Sequence, residues 1–204
     1  TRGKVLVLAG AGSGKTTVLA CRIAHLIQKE DVSPNAILGL TFTNKAAEEM
    51  RERVERFTDN KTAKQVTLCT FHSFCMQVLR QEIHLLGFTP EFSLYDEKDV
   101  RRVLSQIVRH ELEQEGDLPS LQTTIGKITQ AKNQGLSTLE EEEENPSGWY
   151  ACFSKDLLYK LHLCMRAYNA VDFDGLLTLT VQLFEQHPLI LARFQERFQY
   201  IMID

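Results

Sequence analysis

Eight residues, Ala9-Gly10-Ala11-Gly12-Ser13-Gly14-Lys15-Thr16, leave this chain few architectures to choose from. They lie between an apolar run, Val5-Leu6-Val7-Leu8, and a segment with helical spacing, Thr16 to Gln28. Small residues let backbone N–H groups fold around phosphate oxygens, and a helix N-terminus adds positive potential at the same point. In such a loop Lys15 reaches the β- and γ-phosphates, and the Thr16 hydroxyl can sit on Mg²⁺. The general pattern has Gly where Ala9 stands, a small departure. The bland alternative is a glycine-rich turn with a chance lysine, and the strand before and helix after favour the nucleotide. The loop does not itself distinguish ATP from GTP. Guanine is usually read by Asn-Lys-x-Asp, and Asn44-Lys45-Ala46-Ala47 lacks that Asp and opens a helix, so ATP is favoured.

The rest of the first half repeats one alternation. Val5 to Leu8 reads as a buried parallel strand, continuous and β-branched. The following helix places Val18, Leu19, Ile23, Leu26 and Ile27 on one face. Ile37 to Thr41 reads as a second strand, Asn44 to Phe57 as a helix with Ala46, Ala47, Met50, Val54 and Phe57 inward. Val66 to Thr70 reads as a third strand, and His72 to Leu86 as a helix stopped by Gly87. Strands and helices alternating with short links predict a doubly wound parallel sheet. From Asp96 to about Val171 the periodicity is helical, with no convincing strand. Asp96 is placed as an N-cap, Pro119 opens a helix through Ile125 and Ile128, and Leu136 to Gly148 is a loop. A further helix begins near Trp149. After Asp172 come two helices split by Pro188, then the apolar strand Tyr200 to Ile203.

Asp204 follows that strand directly. A carboxylate at the end of a buried strand can meet the Thr16–Mg²⁺ site across the sheet edge. The alternative is a carboxylate with no metal role. A parallel strand ending the chain where sites usually form, together with Thr1 in place of methionine, gives the expectation of a piece of a longer protein.

Composition sets outer limits. The 204 residues are 43% hydrophobic and 25% charged, enough apolar material for a sizeable core. The net charge of −4 gives no global nucleic-acid signal, although five of the acidic residues are concentrated in Glu140 to Glu144. Cys21, Cys69, Cys75, Cys152 and Cys164 form no CxxC pair and lack zinc spacing, so reduced thiols in a cytoplasmic protein are expected. No stretch approaches the ~18 apolar residues of a membrane span.

Three segments together carry a family resemblance: the phosphate loop, Thr41-Phe42-Thr43-Asn44-Lys45-Ala46-Ala47-Glu48-Glu49-Met50, and Thr70-Phe71-His72-Ser73-Phe74. In order and spacing they resemble motifs I, Ia and Ib/Ic of UvrD/Rep/PcrA-type superfamily-one DNA helicases. Asp172-Phe173-Asp174-Gly175-Leu176-Leu177 and the terminal Tyr200 to Asp204 are also similar to the family. The resemblance implies an α/β fold, a P-loop NTPase (RecA-like) doubly wound parallel sheet with an inserted all-helical subdomain. Residues 1–86 and 172–204 would form the ATP-binding domain 1A, and 87–171 the helical subdomain 1B. It implies the N-terminal motor part of an ATP-dependent 3′-to-5′ translocase and helicase acting in DNA repair or replication. Single-stranded DNA and single/double-strand junctions would be its partners, along with repair or replication proteins.

Carried over residue by residue, Lys15 and Asp204 would be catalytic, and Thr16 and Asp204 would hold Mg²⁺. Ala9, Gly10, Ala11, Gly12, Ser13, Gly14, Lys15, Thr16 and Thr17 would line the ATP site. Phe42, Asn44, Thr70 and His72 would face DNA, Phe42 by stacking on a base as a sequence-tolerant platform. Taken without the resemblance, Phe42 reads equally as a core aromatic, and His72 equally as a histidine satisfying local backbone. Thr17 stands where the family commonly has an arginine packed on adenine. The family's upstream adenine-reading glutamine, the Glu and Gln after Asp204, and a second RecA-like domain with arginine fingers are not in the sequence, so this piece is expected to be inactive alone. A RecB-like helicase–nuclease subunit, a P-loop metabolic kinase and a DNA-holding module without turnover stay open as rivals.

Overall fold

The computed structural model describes residues 3–10, 12–112 and 148–204. Ala11, the helix expected from Pro119, the loop expected before Gly148 and the acidic run Glu140 to Glu144 lie outside the described residues. The chain divides into two compact units, Thr1–Phe74 with His187–Asp204, and Cys75–Gln186.

The first unit is α/β. Its elements are α1 (Lys15–Lys29), β1 (Ile37–Thr41), α2 (Asn44–Phe57), α3 (Asn60–Gln65), β2 (Thr67–Thr70) and the first turn of α4 (Phe71–Glu82). The chain re-enters it through a helix at Pro188–Arg197 and a strand at Tyr200–Ile203, α8 and β5 below. Three strands form a parallel sheet in the order β2-β1-β5. Leu38 pairs with Thr67 on one side and Ile201 on the other, and Gly39 pairs with Leu68 and Met202. β1 is buried along its whole length, which is why it reads as an unbroken apolar run. α1 and α2 pack on this sheet, burying Ala20, Ile23, Leu26, Met50 and Val54 with Ile37, Leu68 and Met202. α2 starts where its cap dictates: Thr43 is extended and its Oγ1 accepts from Ala46 N–H at 3.1 Å.

Three expectations change here. Val5 to Leu8 is no strand; the residues pair with no described neighbour and are 64–87% exposed. An apolar run specifies burial, but a strand also needs a partner to take its backbone N–H and C=O groups. β5 pairs with β1, and its Ile201 and Ile203 are exposed. Val18 and Phe57, expected inward, are also exposed, so the buried stripe of α1 runs instead through Ala20, Ile23, Ala24 and Leu26.

The second unit holds most of α4, a 3-10 turn to Leu86, β3 (Ser93–Tyr95), α5 (Glu97–Leu112), α6 (Gly148–Ala167), β4 (Ala170–Asp172) and α7 (Phe173–Gln186). α8 (Pro188–Arg197) and β5 (Tyr200–Ile203) then belong to the first unit. α5 and α6 bury Val103, Leu104, Val108, Leu157, Leu158, Leu161 and Met165 against each other. β3 and β4 form a parallel two-stranded ladder that periodicity missed, because three residues are too few to show a period. Asp96 does cap α5, accepting from Lys98 and Asp99 N–H at 2.8 and 2.9 Å. Gly87 ends the α4 segment at φ +80°, a left-handed conformation that glycine adopts without a Cβ penalty.

Candidate nucleotide site at the carboxyl edge of the sheet

Parallel strands deliver their carboxyl ends to one edge, and the register fixes which residues meet there. Thr41 pairs with Thr70, and Leu40 with Ile203. Phe42 to Asn44, Phe71 to Ser73 and Asp204 therefore leave the sheet side by side. The Asp204 N–H donates to Leu40 O at 3.0 Å, extending the ladder to the last residue.

The phosphate loop comes to this edge from α1. Gly12 and Gly14 take φ of +75° and +87°, conformations that would strain any residue with a Cβ. Ser13 closes the turn, its N–H and Oγ both donating to Gly10 O at 3.4 and 2.8 Å. No side chain caps α1, whose N-cap is Gly14. Its first N–H groups and the helix dipole thus point where an anion can bind. Lys15 Nζ donates to Ala9 O at 3.3 Å and Gly10 O at 2.9 Å, folding the ammonium over the loop.

Thr16 and Asp204, far apart in sequence, touch. Thr16 Oγ1 donates to Asp204 Oδ2 at 2.6 Å. A hydroxyl and a carboxylate are hard oxygen donors of the kind Mg²⁺ prefers, so the pair fits that ion. Among the described residues no group of three or more His, Cys, Asp or Glu could hold a metal. Thr16 and Asp204 would hold such an ion, which would neutralise charge on phosphates.

The residues expected at DNA fall into two kinds. Phe42 is 84% exposed among the described residues, and Asn44 is exposed on the first turn of α2. Thr70 is buried; its Oγ1 accepts from Ser73 N–H at 3.1 Å and donates to Ser73 Oγ at 2.9 Å. Its side chain thus caps α4 and holds the turn from which half-buried His72 projects. Thr41, also buried, donates to Thr43 O at 2.9 Å and shapes the turn that carries Phe42.

One contact was not anticipated. Arg53, on α2, donates from Nη1 to Thr17 Oγ1 at 2.5 Å. Nothing near Arg53 in the sequence signals it, because the two residues meet only through packing of α1 on α2.

Across residues 1–204 the chain matches the UvrD/REP helicase N-terminal domain family. The chain belongs to that family. Among curated relatives, the ATP-dependent DNA helicase PcrA of Staphylococcus aureus is 36% identical over 205 residues, covering 100% of this chain and 28% of that protein. The PcrA of Staphylococcus epidermidis is 37% identical over the same length and share. This UvrD/REP-type chain thus spans 28% of the length of the relatives it matches. Its described helices include none long and apolar enough to cross a membrane.

Proposed function

We propose that this chain is the N-terminal motor part of an ATP-dependent 3′-to-5′ DNA helicase and single-stranded DNA translocase of repair or replication, working in the cytoplasm. The observation that carries the proposal is the Thr16–Asp204 hydrogen bond, which joins the start of the phosphate-loop helix to the end of β5. In this reading the loop N–H groups cradle the phosphates, and Lys15 leaves the Ala9 and Gly10 carbonyls for the β- and γ-phosphates. Thr16 and Asp204 would hold Mg²⁺, which would neutralise charge on the phosphates. Thr17 would line the nucleotide site beside Thr16. Phe42 offers an exposed stacking face to single-stranded DNA, with Asn44 and His72 beside it and Thr70 setting the turn. Bound nucleotide and bound DNA would share one sheet edge, a short mechanical path between them. The RecA-like core would comprise residues 1–86 and 172–204, and 87–171 the inserted helical subdomain. Junctions and repair or replication proteins would be the partners of the intact protein.

The test is binding of a non-hydrolysable Mg-ATP analogue, wild type against Lys15→Ala, with and without single-stranded DNA. Nucleotide affinity should fall at least ~10-fold in Lys15→Ala, the loss of one charge-assisted contact to phosphate. DNA should shift the wild-type affinity. Unchanged affinity in Lys15→Ala would refute the phosphate-loop assignment. The 204-residue chain by itself should turn over ATP poorly; robust hydrolysis would refute the view that its site is only half of the catalytic one.

A further inference from the structure

We propose that Thr41 is a positioning residue for single-stranded DNA: its buried hydroxyl fixes the turn that presents Phe42 as a stacking face. The proposal rests on the DNA reading of Phe42 above. β1 ends at Thr41 and α2 begins at Asn44, so Phe42 and Thr43 form a two-residue link outside any strand or helix. The exposed Phe42 ring has little packing to hold it. Its direction is therefore set by the backbone of the link, and that backbone is tied at Thr43. The Thr43 carbonyl accepts from Thr41 Oγ1 at 2.9 Å and from Ala47 N–H at 3.1 Å, while Thr43 Oγ1 accepts from Ala46 N–H at 3.1 Å. Two of these bonds belong to the start of α2. Among the three, the Thr41 bond alone reaches back to the sheet. Thr41 is buried, so its hydroxyl has this carbonyl in place of water.

The neighbouring strand shows what the tether adds. α4 begins at Phe71, directly after β2 ends at Thr70, and there one threonine suffices: Thr70 Oγ1 accepts from Ser73 N–H at 3.1 Å and caps the helix itself. Thr41 and Thr70 are paired across the β1–β2 ladder, so the two turns leave neighbouring strands at the same level. After β1 the helix starts two residues later, and the role is divided. Thr43 caps α2, and Thr41 ties Thr43 to the strand. The extra length lets an aromatic side chain stand clear of the sheet, and the Thr41 bond keeps that ring from losing its direction. A stacking face held in its bound geometry before DNA arrives loses less conformational freedom on binding. Thr41, buried at the strand end, touches no DNA in this reading and acts through Phe42.

The experiment is a fluorescence-anisotropy titration of labelled oligothymidine with the intact protein in the absence of nucleotide. Thr41→Val keeps the β-branched shape and removes the donor, while Ala47 N–H still satisfies Thr43 O. It should weaken DNA binding about 5-fold, within the range for ordering one side chain on binding. Phe42→Ala should weaken binding at least about 5-fold through the lost stacking. In the Phe42→Ala background, Thr41→Val should change affinity by less than about 2-fold, because no ring is left to position. Thr41→Ser keeps the donor and should bind within about 2-fold of wild type. The slope of log Kd against log salt should be the same in Thr41→Val as in wild type, because no phosphate contact is lost. If Thr41→Val melts lower than wild type, Thr41→Cys, small and only a weak donor, takes its place and should show the same Phe42-dependent loss. A Thr41→Val protein that binds as wild type does, that loses affinity equally with and without Phe42, or that changes the salt slope would overturn the proposal while leaving the Phe42 result standing. So would a Thr41→Ser protein as weak as Thr41→Val. A Phe42→Ala protein that binds DNA as wild type does would overturn the DNA reading of Phe42 and this proposal together.

Discussion

Replacing Gly39 with alanine tests how tightly the central strand is packed. A β-carbon built there falls 2.4 Å from Leu68 Cδ2 and 3.3 Å from Met50 Sδ. Carbon atoms in contact prefer about 3.5–4.0 Å. Leu68 sits opposite Gly39 in the β1–β2 register and is buried, and Met50 has no exposed surface. Neither side chain can swing into water to make room. Overpacking of this kind costs about 1–3 kcal/mol. Alanine also restrains the unfolded chain, which returns about 0.4–1 kcal/mol because Gly39 needs no left-handed backbone. The expected net loss lies between about 0 and about 2.6 kcal/mol, centred near about 1.3 kcal/mol. Leu68→Val removes the colliding δ-carbon and by itself should cost about 0.5–1.5 kcal/mol. Combined, the two should be less destabilising than their sum, with a coupling of at least about 0.5 kcal/mol. Urea unfolding followed by circular dichroism measures all four proteins, with equal slopes required for the comparison. A Gly39→Ala midpoint above wild type, or strict additivity, would refute the packing argument.

Two further outcomes follow from the titrating groups. Hydrogen bonds from the Thr62 hydroxyl and N–H hold Asp59 below the usual carboxylate range, and the Asp99 and Lys98 N–H groups do the same for Asp96. A lowered folded pKa contributes stability above the unfolded value of about 3.9, and that contribution disappears as pH falls through the folded value. Melting temperature should therefore drop below about pH 4, and less steeply in an Asp59→Asn, Asp96→Asn double variant; parallel acid slopes would contradict it. Burial pushes the Cys75 thiol up, against a weaker opposing hydrogen bond involving Thr180, while Cys21 is exposed. Iodoacetamide followed by peptide mass spectrometry should find Cys21 modified first and Cys75 modified only after denaturation; equal native rates would rule this out.

Local chemistry was legible in the residues themselves. The candidate phosphate loop is written in alternating glycines, Gly10, Gly12 and Gly14, followed by Lys15 and Thr16, because its turn uses positive φ at Gly12 and Gly14. Helices α2 and α5 begin where Thr43 and Asp96 cap them, a signal confined to a few residues. The apolar run of β1 announced a strand buried on both faces, and the three recognition segments pointed to the family that the whole chain matches.

Pairing and long-range contact were not written locally. Val5 to Leu8 has the composition of a buried strand yet pairs with no described neighbour, since the ladder belongs to two segments and not to one. β3 and β4 escaped notice because each contributes three residues to a bond pattern that only their meeting creates. Thr70 was expected at DNA, but that its hydroxyl caps α4 emerged only from the fold. Thr16 and Asp204 each suggested a metal ligand, but only the β1–β5 register makes them touch. Arg53 carried no signal at all until α1 packed on α2 and set its guanidinium against Thr17. Sequence by itself determined the conformations that neighbouring residues impose on one another; which distant side chains share the site was decided by the packing that brings their elements together.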